Sequence, residues 1–278
     1  MIIWLASYPK SGNTWVRAFI SSVIYSQKGV NDFSNLEKIP QFPRRDQFSN
    51  LVNNLQDPRE ISQNWKSSQD FINLDSKVKF LKTHHALCKI KNYDFTDNSN
   101  SLGVIYIVRD PRTVLLSLKH HFGMKDFTEA KNFISNEHVW LGINKSENYK
   151  NNSNKVPTLI SSWKVNYLSW KDKIQNYLLI RYEDLLKNPH EEFFRITNYL
   201  ENLINFKIDK DKINNAIKST SFKTMQKLEK DGYFKEQGKG AKFFNSGPNA
   251  DWRSQLDDKI IDEINLKFKN EMIELGYL

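Results

Sequence analysis

The segment at residues 8–15 constrains this chain more than any other, because it joins a strand pattern directly to a helix pattern. It reads Y-P-K-S-G-N-T-W, between an apolar run at residues 2–6 and a helix-patterned stretch at residues 15–25. A tight glycine-containing turn between a strand and a helix gathers backbone N–H groups and the positive end of the helix dipole at one point. The sequence therefore predicts an anion-binding site at this turn.

The side chains of the turn add donors that suit phosphate or sulfate oxygens. They are the ammonium of Lys10, the hydroxyls of Ser11 and Thr14, and the amide of Asn13. In a Walker A loop the lysine follows the last glycine directly, whereas here it precedes Gly12. The turn is therefore a different kind of anion loop, and a chance lysine in a strand–helix turn is the alternative interpretation.

Four short apolar runs alternate with helical patterns along the chain. They lie at residues 2–6, 78–82, 104–108 and 177–181. Strands that are separated by helices indicate a parallel sheet with crossover connections. We therefore expect an α/β fold in which helices cover a central parallel sheet on both sides, a three-layer αβα arrangement.

Helix start and stop signals agree with this fold class. Asp110 with Pro111, and Asn188 with Pro189, each pair an N-cap residue with a proline at the first helical position. Periodic apolar residues over 256–275 predict one C-terminal helix that the following glycine ends.

The length of 278 residues allows a sizeable core, and α/β folds of this length often form one domain. We therefore expect a single domain over residues 1–278. Two regions, 31–76 and 126–156, do not follow the strand and helix pattern. They are interpreted either as variable inserts that line the acceptor side of the site or as decoration without function.

Cysteine usage and charge limit the compartment and the partners. The single cysteine, Cys88, excludes an internal disulfide framework and fits a reducing compartment. The apolar start at residues 2–6 is too short for a signal peptide, so we expect a cytoplasmic protein without a membrane anchor. The net charge of +9 is dispersed among acidic residues, so a solvated lysine-rich surface accounts for it and no nucleic-acid partner is expected.

Lys82 and His84 stand at the end of the second predicted strand. Ligands collect at the carboxyl ends of parallel strands, so we expect His84 to project toward the same crevice as Lys10. A histidine, with an ordinary pKa of about 6.5, suits the role of a general base. A purely structural histidine is the alternative, and His85 is the second candidate, which strand alternation places on the opposite face.

Arg109 and Ser117 form a further pair. Arg109 ends the third predicted strand, and Ser117 follows eight residues later, two turns into a predicted helix. A guanidinium can bind a phosphate through two parallel hydrogen bonds, and the serine hydroxyl can reach the same group. The pair predicts a second phosphate subsite, and an ion pair between Arg109 and an acid such as Asp110 is the alternative.

Taken together and in this order, these segments resemble those of the sulfotransferases that use 3′-phosphoadenosine 5′-phosphosulfate (PAPS). That family has the 5′-phosphosulfate loop Y-P-K-S-G-T-T-W, a K-T-H segment with the general base, and an arginine and serine of the same spacing at the 3′-phosphate. The resemblance runs from residue 2 to about residue 252. It implies a fold related to the P-loop nucleoside triphosphate hydrolases and kinases, PAPS as co-substrate, and no metal.

The resemblance also implies roles for individual residues. His84 would be the general base, Lys10 would stabilise the leaving phosphate, and Lys82 would lie near the transferring group. Ser117 would bond Lys10 before the acceptor arrives. The residues implied to bind the co-substrate are Lys10, Ser11, Gly12, Asn13, Thr14, Trp15, Arg109, Ser117, Tyr182, Thr220, Ser221, Phe222, Met225, Asn245, Ser246 and Gly247.

Within that set, the aromatic and apolar members are implied to hold the adenine. Trp15 and Tyr182 offer ring faces for stacking. The T-S-F-x-x-M segment that begins at Thr220 resembles the one that the family places at the purine. Ordinary core packing is the alternative for each of these side chains.

Residues 244–252 depart from the family pattern F-R-K-G-x-x-G-D-W. Asn245 and Ser246 replace the arginine and the lysine. Two charge-assisted donors to the 3′-phosphate are missing, each worth about 1.5–3 kcal/mol, and Lys239 and Lys242 are the nearest substitutes. We therefore expect weaker nucleotide binding than a full motif gives.

We expect a sulfotransferase that moves the sulfuryl group of PAPS to a hydroxyl or amine of a small-molecule or glycan acceptor. Two alternatives stay open. One is a non-catalytic PAPS-binding module that has kept the fold, and the other is a nucleotide-dependent phosphotransferase, which would need Mg²⁺ ligands and respond to ATP. The acceptor and the oligomeric state, a homodimer included, stay open as well.

Overall fold

The computed structural model describes residues 1–143, 155–234, 242–244, 247 and 250–278. In chain order the strands are β1 Ile2–Ser7, β2 Lys79–Thr83, β3 Lys89–Ile90, β4 Tyr93–Asp94, β5 Ser101–Val108, β6 Trp140–Leu141, β7 Thr158–Leu159 and β8 Tyr177–Arg181. The α-helices are α1 Asn13–Tyr25, α2 Pro58–Gln63, α3 Trp65–Asn73, α4 Pro111–Phe122, α5 Phe127–Ser135, α6 Trp163–Trp170, α7 Tyr182–Lys187, α8 Pro189–Ile204, α9 Lys210–Ser219, α10 Phe222–Lys230, α11 Asp258–Lys267 and α12 Lys269–Glu274. Short 3₁₀ helices lie at Phe33–Lys38 and Arg45–Gln47.

The chain forms two compact units, each built from three segments. The first comprises Met1–Tyr8, Ile39–Tyr106 and Glu137–Leu179, and the second comprises Pro9–Lys38, Ile107–Asn136 and Ile180–Leu278. The chain enters the second unit just after the carboxyl end of β1, and the last two residues of β5 and of β8 also belong to that unit. The single domain over residues 1–278 stays a prediction.

The main sheet has four strands in the order β2-β1-β5-β8. β1 pairs with β2 in parallel, from Ile2 opposite Lys79 to Ala6 opposite Thr83. All six residues of β1 are buried, which explains why its sequence is a continuous apolar run instead of an alternating one. The predicted α/β class, with a central parallel sheet flanked by helices, is confirmed.

An aromatic core holds β1 within the first unit. The ring centroid of Trp4 lies 5.5 Å from Phe42, 5.6 Å from Phe95 and 6.0 Å from Trp170. The indole N–H of Trp4 donates to the hydroxyl of Ser101 at 2.8 Å, so this buried polar atom is satisfied. These contacts fix the strand whose carboxyl end leads into the anion loop.

In the second unit, packing fixes α1 and α10. Phe19 of α1 stacks on Phe193 of α8 with a centroid distance of 4.1 Å, and Trp15 meets the same ring edge-on at 5.6 Å. A separate cluster of buried apolar side chains includes Ala18 of α1 and Met225 of α10. Both helices that carry predicted nucleotide-binding residues are therefore anchored by packing of side chains on several elements.

The helix predictions succeed where the signal is local. Asp110 caps α4 by accepting from the backbone N–H of Arg112, with Pro111 at the first helical position, as predicted. Asn188 stands at the N-cap of α8, although its side chain makes no capping hydrogen bond with the described residues.

The predicted single helix over 256–275 is wrong in one respect, because the structure breaks it into α11 and α12. The break falls at Phe268, whose backbone leaves the helical region at φ −115° and ψ 20°. Ile264, Phe268 and Met272 are all fully buried and keep their four-residue spacing across the break, so the periodic pattern marks the buried face but does not require an unbroken helix. The second helix ends before Gly276 at φ 68°, as expected.

The two regions proposed as inserts contain regular structure. Region 31–76 holds both 3₁₀ helices with α2 and α3, and region 126–156 holds α5 and β6. Residues 144–154 lie outside the described residues. The role of these inserts at the acceptor side stays a prediction.

Among the residues that the structure describes, no helix is both long and apolar enough to cross a membrane. The cytoplasmic location stays a prediction from the sequence.

Candidate active site

The anion loop enters α1 through two residues with positive φ. Lys10 has φ 68°, and Gly12, the N-cap of α1, has φ 98°. A Cβ at Gly12 would lie 2.4 Å from a ring carbon of Tyr182. Glycine is therefore required here both for the backbone conformation and for the close approach of that ring.

The electrostatics of the loop favour an anion. The first turn of α1 contains no acidic residue, and its N-cap supplies no side-chain hydrogen bond. Ser11 is fully buried, and its hydroxyl has no hydrogen-bond partner among the described residues. A buried hydroxyl without a partner is unfavourable unless a ligand satisfies it, so the loop fits the anionic group that the sequence predicts.

The structure brings Arg109 and Ser117 together, eight residues apart in the sequence. A guanidinium nitrogen of Arg109 donates to the Ser117 hydroxyl at 3.3 Å and to the Lys10 carbonyl at 3.2 Å. The guanidinium carbon also lies 4.1 Å from the centroid of the Tyr182 ring. The alternative partner, Asp110, instead forms a buried ion pair with Arg112 at 2.7 Å.

Glu183 is a supporting residue that the sequence did not reveal. Its carboxylate accepts from the backbone N–H of Asp110 at 3.0 Å and from the hydroxyl of Tyr277 at 2.9 Å. Burial raises the pKa of this carboxyl group. The contacts tie the start of α7 to the start of α4, and thereby fix the neighbouring residues Tyr182 and Arg109.

The predicted purine segment lies at the start of α10. Thr220 is fully buried and donates its hydroxyl to the Ala216 carbonyl at 2.7 Å, while Phe222 is the first helical residue. A Cβ at Gly247, which has φ 47°, would lie 2.1 Å from the ring of Phe222. The structure therefore brings this segment together with the glycine of the altered C-terminal motif.

Of the other predicted residues, some have described contacts and some lie outside the described part of the chain. Ser221 is the N-cap of α10, and its hydroxyl lies 2.8 Å from that of Thr224. Trp15 is half-buried and meets Tyr182 edge-on at a centroid distance of 5.9 Å. Asn245, Ser246 and Lys239 lie outside the described residues.

His84, in the first unit, is oriented by the end of β1. Its Nδ1 lies 2.9 Å from the Ser7 carbonyl oxygen and 3.2 Å from the Ser7 hydroxyl. A carbonyl can only accept, so the neutral ring carries its proton on Nδ1 and its lone pair on Nε2. Nε2 is therefore the nitrogen that can accept a proton.

Asn166 is a second supporting residue that sequence reasoning missed. It is fully buried, and its amide donates to the His84 carbonyl at 3.0 Å and to the Ile160 carbonyl at 2.8 Å. Its side-chain oxygen accepts from the Tyr106 hydroxyl at 2.8 Å. A lone asparagine in the aromatic-rich helix α6 was the signal that could have revealed it.

His85 belongs to the core of the first unit. It is fully buried and stacks on Phe95 at a centroid distance of 4.3 Å. Burial lowers the pKa of His85 to about 3, so its ring is neutral at neutral pH. These surroundings favour a structural role for His85 and leave His84 as the base candidate.

Lys82 is half-buried in β2. It lies in the first unit with His84, whereas Lys10, Arg109 and Ser117 lie in the second. The meeting of these two sets at one crevice stays a prediction. Across the described ranges, we find no group of three or more side chains suited to hold a metal ion.

Comparison with known proteins gives the family of this chain. A family model for the sulfotransferase domain matches residues 2–276. The chain therefore belongs to the sulfotransferase domain family, and it is a sulfotransferase.

The similar curated proteins are sulfotransferases of low sequence identity. Flavonol 3-sulfotransferase of Flaveria bidentis is 23% identical over 273 residues, which cover 95% of this chain and 79% of the relative. Sulfotransferase 1B1 of Canis lupus familiaris is 24% identical, covering 97% of this chain and 83% of the relative.

Two solved structures share the fold. Mouse sulfotransferase SULT7A1, complexed with PAP, has a TM-score of 0.60 at 19% identity and covers 98% of this chain and 84% of its own. Retinol dehydratase, in a complex with retinol and PAP, has a TM-score of 0.60 at 18% identity, with 98% and 81% covered.

Proposed function

We propose that this sulfotransferase uses PAPS as its co-substrate and transfers the sulfuryl group to a hydroxyl or amine of a small molecule. The observation that carries the proposal is the anion loop next to the hydrogen-bonded pair of Arg109 and Ser117. Within the described part of the chain, the buried Ser11 hydroxyl of this loop has no hydrogen-bond partner. The PAP complexes of two proteins with this fold support the choice of nucleotide. The names of similar proteins, a flavonol and an amine sulfotransferase, favour a small acceptor over a glycan.

Different residues of the second unit would bind different groups of the co-substrate. The backbone N–H groups at the start of α1, with Ser11 and Thr14, would bind the 5′-phosphate. Arg109 and Ser117 would bind the 3′-phosphate, and Phe222 would line the purine. Lys10 would neutralise the negative charge that grows on the oxygen bridging sulfur and phosphorus as that bond breaks.

His84 would supply the base of the reaction. The acceptor oxygen or nitrogen forms a bond to sulfur, the bond between sulfur and the bridging oxygen breaks, and the acceptor proton passes to Nε2 of His84. The Ser7 carbonyl holds the opposite nitrogen, and Asn166 holds the backbone of His84. Lys82 would add positive charge near the transferring group.

Incubation of the protein with PAPS and a panel of flavonols, phenols, sterols, amines and oligosaccharides tests the proposal. PAP release and the mass of the product are followed for each acceptor, with an acceptor-free sample as the control. We expect PAP release that depends on a small acceptor and matches the amount of sulfated product. Phosphate transfer from ATP with Mg²⁺, without any transfer from PAPS, would instead identify a phosphotransferase.

Replacing Arg109 with alanine is expected to weaken binding of the 3′-phosphorylated nucleotide PAP about 10- to 150-fold, the equivalent of one charge-assisted contact. Binding of AMP, which lacks the 3′-phosphate, serves as the control because Arg109 also supports the Lys10 carbonyl. An equal loss for PAP and AMP in calorimetric titrations would show that Arg109 acts only through the loop.

Replacing Asn245 with arginine is expected to tighten PAP binding about tenfold or more, because it restores one charge-assisted donor of the family motif. Asn245→Gln is the matched control, since it lengthens the side chain without adding charge. Unchanged PAP affinity in the arginine variant would remove the altered motif as a cause of weak binding.

A further inference from the structure

We infer that Phe243 is a positioning residue for Lys10, which it holds through a cation–π contact. The inference rests on the proposed function of Lys10 at the leaving phosphate. The ammonium nitrogen of Lys10 lies 4.1 Å from the centroid of the Phe243 ring. The motif that resembles the sulfotransferase family begins one residue later, at Phe244, so the sequence did not single out Phe243.

The backbone around Phe243 is held from two helices. The N–H groups of Phe243 and Phe244 donate to the carboxylate of Glu229 in α10, at 2.5 and 2.9 Å. The Phe244 carbonyl accepts from Gln226 at 2.9 Å, and the Lys242 carbonyl accepts from His120 of α4 at 3.0 Å. The segment Lys242 to Phe244 therefore has its backbone fixed at several points.

The ring itself is held by aromatic neighbours. Its centroid lies 4.9 Å from Phe234, which is buried, and 5.1 Å from Phe244. The His121 ring stands nearly perpendicular to it, at a centroid distance of 6.1 Å. Because these rings restrict its rotation, Phe243 presents a fixed π face to the ammonium.

A π face suits a lysine that must act on a leaving group. It attracts the ammonium without neutralising it, whereas a carboxylate would compete with the developing negative charge. Lys10 is then fixed at both ends, since Arg109 donates to its carbonyl and Phe243 contacts its ammonium. The Ser117 hydroxyl accepts from Arg109 in this structure. Phe243 thus restrains the ammonium by a contact that leaves its charge available.

Graded fluorination of the ring tests the inference, because each fluorine weakens the π face while the side chain keeps nearly the same size. We expect kcat to fall stepwise from 4-fluoro- to 3,5-difluoro- to 3,4,5-trifluorophenylalanine at position 243, and by about 2- to 30-fold in Phe243→Leu. Phe243→Tyr keeps a π face and is expected to stay within about twofold of the wild type. A kcat that does not respond to fluorination overturns the inference.

The same substitutions at Phe133, a half-buried ring that packs on Phe122 in the same unit, provide the matched control. They are expected to leave kcat unchanged. A graded loss at Phe133 equal to that at Phe243 would show an unspecific effect on folding and would also overturn the inference.

Nuclear magnetic resonance of the nucleotide-free protein separates this inference from the proposed function. The ε-methylene signal of Lys10 is assigned by its loss in Lys10→Arg. In the wild type we expect this signal to be shifted upfield by the Phe243 ring. In Phe243→Leu we expect it at the ordinary chemical shift of a lysine. An ordinary chemical shift of the Lys10 ε-methylene signal in the wild type overturns the inference, whether or not the protein turns over PAPS. Failure of the wild type to bind PAP would contradict the proposed function alone.

Discussion

Replacing Lys10 with methionine is expected to lower turnover about 10²- to 10⁴-fold while the protein stays folded. Methionine keeps most of the length of the side chain and removes the charge. Lys10 stands at φ 68° directly before Ser11, in the loop proposed as the anion site, where the Ser11 hydroxyl has no partner among the described residues. Loss of its charge leaves the bridging oxygen without its main cation as the bond to sulfur breaks.

Single-turnover rates and PAP affinity measured on the same preparation check this prediction. The rate is expected to fall far more than the affinity, because Lys10 acts mainly on charge that develops in the transition state. Lys210→Met, on α9, is the matched surface control. Turnover of the Lys10 variant within about threefold of the wild type would contradict the role given to Lys10.

Replacing His84 with alanine is expected to lower kcat about 10²- to 10⁴-fold with little change in PAP affinity. The base acts on the acceptor, so the loss should shrink for acidic acceptors such as nitrophenols, which release their proton without help. His85→Ala is the matched control. Because His85 is a buried core residue, its loss should lower the melting temperature while the folded protein keeps its turnover.

Initial rates with phenols of graded pKa measure this dependence. The logarithm of the rate is plotted against the pKa of the phenol. A slope that is steeper for His84→Ala than for the wild type indicates a lost general base. Near wild-type activity of the alanine variant with a weakly acidic alcohol would show that another group takes the proton.

Local patterns predicted much of the fold and of the loop. The strand at residues 177–181 matches β8 residue for residue, and Asp110 caps α4 as its pairing with Pro111 indicated. Such features depend on side chains a few residues apart, so a single sequence contains them. The glycine of the anion loop belongs to this group, since both its φ of 98° and the turn are local.

The supporting contacts of the site could not be predicted in the same way. Asn166 reaches the His84 carbonyl across 82 residues of sequence, and Glu183 reaches the Asp110 backbone across 73. The break at Phe268 was likewise not visible in the sequence, because the buried residues Ile264, Phe268 and Met272 keep their four-residue spacing across it. These contacts arise from tertiary packing, and neither periodicity nor motif spacing encodes them.

The first measurement is thermal unfolding with PAP, AMP, or ATP plus Mg²⁺ in separate samples. A ligand at 100 times its dissociation constant stabilises the folded state by about 2.7 kcal/mol, a shift of several degrees for a chain of this size. We expect a clear rise in melting temperature with PAP and little with AMP. A rise only with ATP and Mg²⁺, or none with any nucleotide, would contradict a PAPS-dependent sulfotransferase.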